Sequence, residues 1–283
     1  MESKDLRIFK QVAEQQSISK AAEKLGYVQS NISQRIKGLE HELGVPLIIR
    51  NNRGVTLTEE GSELLEYTHQ ILQLLDEARA SINPEKWKKS LAIGAPQTIS
   101  AVRIPQLLTL FLQDNSIDIK LKTNSAERLQ EMLAYGEVDG IFVNGAYNNA
   151  LFQPVYTYDE GVVVISPKRN PQQGICSQTL VMNSDRSCVY RRKMLDLFIK
   201  NNPQNCAVME FDSLEAILQA VNDGLGISVI PADIAYSRKE LQNVQYEELA
   251  DHIRVSFLIK QSGRPSQPLK SFIHFLNEKA FRG

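Results

Sequence analysis

Seven side chains able to donate or accept hydrogen bonds crowd one short stretch: Gln29, Ser30, Asn31, Ser33, Gln34, Arg35 and Lys37. These residue types pair with base edges or hold phosphates. Threaded among and beyond them, Ile32, Ile36, Leu39 and Leu43 recur at spacings of four, three and four. That spacing predicts a helix with one buried face and the polar groups on the other, suited to a major groove. Arg50 and Arg53 follow in a turn between two short apolar runs, placed to meet phosphates or enter a minor groove. Taken alone, the same pattern would also fit an ordinary helix pair with a solvated polar face.

Catalytic constellations are not evident. His41, His69, His252 and His274 are scattered without metal-ligand spacing, and Cys176, Cys188 and Cys206 have no paired spacing. Neither a phosphate-binding loop nor a nucleophile elbow is present. Gly224-Leu-Gly226 follows a helix and precedes a strand, which reads as a helix end and tight turn. No cofactor or metal is expected. Three strand-to-helix junctions remain, the places where open α/β folds hold ligands. They are Gly94–Ser100, Asn183–Arg191 and Phe211–Ser213. Their Ser, Thr and Asp residues read individually as helix caps, and together as a cleft whose helix N-termini would suit an anion. Cys188, beside Arg186, Arg191 and Arg192, could be an activated thiol, but no second cysteine is placed to resolve it, so a buried or ligand-lining thiol is favoured.

The elements that would position these groups follow from the flanking pattern. Leu6, Phe9, Val12 and Ala13 make a first helix face. Ser19 is the expected N-cap of a second, short helix in which Ala21 and Ala22 permit a close crossing, and Gly26 supplies the sharp turn. Pro46–Thr58 reads as strand, turn and return strand, so residues 1–58 are expected to form a winged helix-turn-helix. From Thr58 a helix over 59–82 carries Leu64, Ile71, Leu75 and Ala78 on one stripe; it could pack on its own domain or on a second copy. Asn83-Pro84 ends it and opens a hinge over 83–90. Beyond lie alternating short apolar runs and helical patterns, which imply an α/β domain over 91–283 with a mainly parallel sheet in two similar halves.

Composition sets the frame. The 283 residues are enough for about two domains, and 42% hydrophobic with 23% charged residues describes an ordinary globular chain. No apolar run reaches the ~20 residues of a membrane helix, and the N-terminus leads into an amphipathic pattern, so a cytoplasmic protein with reduced cysteines is expected. The formal charge of −1 would by itself count against a nucleic-acid partner. It is an average: Ser17–Thr58 holds six basic and three acidic residues, whereas Glu59–Glu77 holds six acids and no Lys or Arg.

The N-terminal region resembles the LysR-type transcriptional regulators of bacteria. The likeness is carried by Phe9, Ser17–Leu25, Gln29–Glu40, Leu43-Gly-Val-Pro-Leu47, Arg50 and Leu57-Thr-Glu-Glu-Gly61. Ile48 and Ile49 depart from the usual Phe and variable residue, and Glu60 from the usual Ala; both concern packing rather than DNA contact. The resemblance implies a DNA-binding regulator without enzymatic activity, with double-stranded operator DNA as partner. Ser19, Lys20, Gln29, Ser30, Asn31, Ser33, Gln34, Arg35, Lys37, Arg50 and Arg53 are the expected contacts. It implies pairing of the linker helices in a homodimer or homotetramer, and RNA polymerase as a further partner. It also implies an effector domain like the type II periplasmic solute-binding proteins, with subdomain I over about 91–161 and 266–283 and subdomain II over about 162–265. The crossover strands should lie near Glu160–Val164 and Lys260–Pro265. Gln97, Thr98, Ser100, Asn144, Cys188, Phe211, Asp212 and Ser213 are the expected effector contacts. A small-molecule-binding or enzymatic α/β domain fused to a helical head is the alternative.

Overall fold

Three helices form around one apolar core at the N-terminus: α1 (Ser3–Gln15), α2 (Ile18–Leu25) and α3 (Gln29–Leu43). The computed structural model describes residues 1–51, 54–83, 89–168, 179–198, 207–262 and 265–278. Leu6, Phe9 and Val12 of α1, Ala21 and Ala22 of α2, and Ile32, Ile36 and Leu39 of α3 share the core. The cap of α2 is Ser17, whose hydroxyl accepts from the Lys20 N–H at 3.3 Å; Ser19, the expected cap, lies one residue inside the helix and is exposed. Gly26 has φ +69° and ends α2, and the Tyr27 N–H returns to the Ala22 carbonyl at 2.9 Å, which turns the chain into α3. Leu43, expected on the buried face, is 41% exposed because α3 stops there at the left-handed Gly44.

The wing is the antiparallel pair β1 (Ile48–Asn51) and β2 (Gly54–Leu57). Glu40 of α3 fixes its base by accepting the N–H groups of Leu47 at 2.9 Å and Ile48 at 3.3 Å. Thr58 then starts α4 (Glu59–Ile82): its hydroxyl donates to the Pro46 carbonyl at 2.8 Å and accepts the Gly61 N–H at 2.9 Å. The stripe expected to pair two copies divides. Leu64 is buried in the head's own core with Leu65 and Leu72, Ile71 and Leu75 pack against that core, and Ala78 is exposed. Leu64 is therefore already used within the protomer, while Leu74 and Ile82 are exposed apolar groups of α4.

The chain divides into a compact unit of Met1–Lys89, with which Ala134–Glu137 groups, and a unit holding the rest. The second unit contains β3 (Lys89–Ala95), α5 (Gln97–Ser100), α6 (Arg103–Gln113), β4 (Ile117–Thr123), α7 (Ala126–Ala134), β5 (Gly140–Val143) and β6 (Phe152–Pro167). These are followed by β7 (Leu180–Asn183), α8 (Val189–Phe198), β8 (Val208–Phe211), α9 (Leu214–Asn222), β9 (Ser228–Pro231), α10 (Ala232–Ser237), β10 (Val244–Lys260) and α11 (Gln267–Glu278).

The expected mainly parallel sheet is instead mixed, with strand order β4-β3-β5-β10-β6-β9 and a separate parallel pair β7-β8. The reason is the two long strands: β10 is antiparallel to both β5 and β6, and β6 is antiparallel to β9. One subdomain packs Leu91, Ile93, Phe111, Phe142, Phe257 and Phe272 into a core. In the other, β6 alternates, sending Val163 and Ile165 to one core and Val162 and Val164 to a second. β6 crosses between the subdomains near Glu160–Val164. The return comes earlier than Lys260–Pro265: β10 pairs with Val163–Pro167 through Val244–Glu248, breaks register before His252, and already pairs with β5 at Ser256.

Candidate functional site

On the head, Gln29, Ser30, Gln34 and Lys37 of α3 are exposed, together with Ser19 and Lys20 of α2 and Arg50 of β1. Asn31, Ser33 and Arg35 are half-buried. Ser19 donates its hydroxyl to Gln29 Oε1 at 3.1 Å, which ties α2 to the first side chain of α3. Arg35 is tied to Asp5 of α1 at 2.5 Å, which raises its already high pKa through the hydrogen bond and the charge. Its guanidinium thus couples α3 to α1. Arg53 lies outside the described residues, as do positions 84–88 of the expected hinge.

In the second unit the ends of the strands and the helix starts enclose a cavity of about 470 Å³. That volume suits a small metabolite. Gln97, Thr98, Asn144, Cys188 and Asp212 border it. Ser100 stands behind the wall, donating to the Ala95 carbonyl at 3.2 Å and accepting from Thr123 at 3.1 Å. Phe211 turns its ring to the core beside α9, and its carbonyl accepts the Ser184 N–H at 2.8 Å. Ser213 precedes α9 without capping it through its side chain. Gln97, far away in sequence, does so instead: its Oε1 accepts the Leu214 N–H at 2.9 Å and links the two subdomains. Arg103 of α6 and Asp233 of α10 make a second link at 2.8 Å.

The sequence reading missed the junction between β4 and α7, where Thr123, Asn124 and Ser125 also border the cavity. Its signal was available, since Thr-Asn-Ser follows an apolar run and precedes a helical pattern. Tyr190, inside the recognised Asn183–Arg191 junction, was not among the expected contacts. This ring lines the cavity and donates its hydroxyl to Glu160, a carboxylate only 5% exposed on the crossing strand β6. Asn144 hydrogen-bonds the same hydroxyl. Burial lifts the Glu160 pKa to about 7 against the opposing effect of the Tyr190 hydrogen bond, and burial likewise holds Tyr190 well above its ordinary range. Burial also raises the pKa of Cys188, which keeps a thiol rather than a thiolate in the wall. Cys176 and Cys206 lie outside the described residues. Among the described residues no group of His, Cys, Asp or Glu could hold a metal ion.

Comparisons with known proteins agree on what such a chain is. The helix-turn-helix model of the bacterial regulatory proteins of the lysR family matches residues 3–62, and the LysR substrate binding domain matches residues 84–280. The chain belongs to the LysR family of transcriptional regulators. An uncharacterized HTH-type transcriptional regulator of Bacillus subtilis, YusT, is 33% identical over 280 residues, covering 96% of this chain and 94% of that protein. A full-length OxyR variant from Pseudomonas aeruginosa superposes with a TM-score of 0.74 at 22% identity over 100% of this chain and 97% of that one. Full-length CbnR in complex with its target DNA gives 0.67 at 18% identity over 99% and 100%. As a LysR-family regulator, the chain binds DNA through its helix-turn-helix and effector through its substrate-binding domain.

Proposed function

We propose that α3 reads base edges through Gln29, Ser30, Asn31, Ser33 and Gln34, while Lys20, Lys37, Arg50 and Arg53 hold phosphates and Arg35 braces the helix against α1. The observation that carries this reading is the exposed polar face of α3 opposite the buried Ile32, Ile36 and Leu39. The protein acts in the cytoplasm as a homodimer or homotetramer, with α4 contributing through Ala78, Leu74 and Ile82 and the rims of Ile71 and Leu75. A two-fold assembly meets an operator with two related half-sites. A small molecule in the cleft changes how the two subdomains are held together at Gln97–Leu214 and Arg103–Asp233. The change is conveyed to the DNA-bound heads and to RNA polymerase. No enzymatic step is part of this function. Among the described residues no helix is long and apolar enough to cross a membrane, which fits that setting.

Selection of genomic fragments by the full-length protein at fixed salt tests the reading. Recovered fragments should share a sequence with two related half-sites, and analytical ultracentrifugation of the protein should show a dimer or larger. Fragments with no shared sequence, or a monomer bound to them, would refute it.

A further inference from the structure

Several of the helix-start N–H groups that the layout of the cleft suggests as anion donors already have partners within the chain. At α8, the Ser187 N–H is taken by Asp185 Oδ1 at 2.8 Å and the Cys188 N–H by the Asp185 carbonyl at 3.1 Å. At α9, the Leu214 N–H is taken by Gln97. At α7, Ser125 accepts the Arg128 N–H at 3.3 Å, and Asn124 accepts that of Ser125 at 3.0 Å. These junction N–H groups are therefore taken from within the chain and are not offered to an anion.

The charges point the same way. Among the described residues, three ionisable side chains of fixed charge border the cavity: Asp185, Asp212 and Arg191. Arg191 is committed, paired with Glu210 at 2.6 Å and donating to the Asn183 carbonyl at 2.7 Å. Asp185 uses one carboxylate oxygen on Ser187, through both its N–H and its hydroxyl, and keeps the other. Asp212 has no hydrogen-bond or ion-pair partner among the described residues. The two carboxylates are neighbours in the fold: β7 and β8 pair in parallel with Asn183 opposite Phe211, so both residues follow the carboxyl ends of adjacent strands. With Arg191 neutralised by Glu210, the wall presents a net charge of about two negative units to its occupant. Asn144, 7% exposed at the opposite end of the network through Tyr190, adds amide rather than charge.

Resting on the reading of this cleft as the effector site, we propose that its ligand carries a cationic donor group, a primary amine or guanidinium, held between Asp212 and Asp185. A ligand bearing only carboxylates would meet two like charges and no available cation. A second, neutral or polar end of the ligand meets the hydroxyls and amides of Thr98, Thr123, Asn124 and Ser228.

Thermal denaturation of the full-length protein with probes of matched length separates the classes: cadaverine, 5-aminopentanoate and agmatine against glutarate and 1,5-pentanediol, each at 10 mM. Stabilisation by one or more of the cationic probes, and at least a tenfold weaker apparent Kd for them in Asp212→Asn, is the expected result. Asp212 is exposed and the change is isosteric, and circular dichroism with DNA binding checks that the variant is folded. Stabilisation by glutarate or pentanediol alone, or amine binding that Asp212→Asn leaves unchanged, overturns the proposal while leaving the effector cleft standing. If none of the five probes shifts the transition, the proposal fails, while the effector role of the domain rests on its family match.

Discussion

Glu160 on the crossing strand should make the stability of the effector domain depend on pH, and Glu160→Gln should remove that dependence. The carboxyl is 5% exposed and faces Tyr190 of α8, Tyr158 of its own strand, Arg103 of α6 and Asp233 of α10. Burial raises its pKa from 4.5 to about 7. Below about pH 4.5 the folded and unfolded chains are both protonated and the group contributes no cost. Between there and about pH 7 the unfolded chain releases its proton while the native state keeps it, so stability falls as pH rises; above about 7 the full cost is in place. At about 1.4 kcal/mol per pH unit, a gap of roughly 2.5 units corresponds to about 3 kcal/mol. Glutamine keeps the size and an acceptor for the Tyr190 hydroxyl but cannot ionise. Near ~2–4 °C per kcal/mol for a domain of this size, the transition of Glu160→Gln should lie roughly 6–12 °C above that of the unaltered protein at pH 8 and close to it at pH 5. Scanning calorimetry across that range measures it. A difference between the two proteins that does not change with pH would show that Glu160 is solvated and would refute the reasoning.

Three further outcomes concern the head. Gly61→Ala should destabilise it by about 1–3 kcal/mol, because a Cβ there would stand 2.0 Å from the Leu47 carbonyl oxygen, a backbone atom that cannot turn aside; chemical denaturation followed by helix signal reads this. Glu40→Ala should cost about 1–3 kcal/mol and weaken DNA binding, since the Leu47 and Ile48 N–H groups at the base of the wing lose their acceptor, whereas Glu40→Gln should recover most of both. Asp5→Ala should release Arg35 and steepen the dependence of log affinity on log salt by about 1; an unchanged slope would mean that the freed guanidinium reaches no phosphate.

Much of the head was legible in sequence because its signals are local. Ile32, Ile36 and Leu39 fix the orientation of α3, and Gly26 marks a turn that needs a positive φ. The errors there are end effects, two residues at the cap of α2 and one at the end of α3. In the effector domain the strands buried on both faces were visible as apolar runs, but β10 was not. Its first half is exposed, with Glu247, Glu248, Asp251 and His252 in a strand that carries no alternation to read. That omission is why the sheet was expected to be parallel and the return crossover too late. In the cleft, junctions could be recognised from caps, but which cap serves which helix could not. Gln97 caps α9 from 117 positions away, and Tyr190 of α8 meets Glu160 of β6 across 30 positions. Such pairings depend on tertiary placement and leave no local signature. The same holds for the charge of the site, since the commitment of Arg191 to Glu210 appears only once β7 and β8 are paired.

The central claim is that the polar face of α3 reads sequence. It is tested most directly by the ratio of affinities for a selected operator and for scrambled DNA of equal length, at one salt concentration, in the unaltered protein and in Gln29→Ala/Ser33→Ala. The unaltered protein should prefer its operator by about 10³-fold or more. The variant, folded and retaining Lys20, Lys37 and Arg50, should bind both DNAs with nearly the same, non-specific affinity. A variant that keeps the full preference would contradict the account.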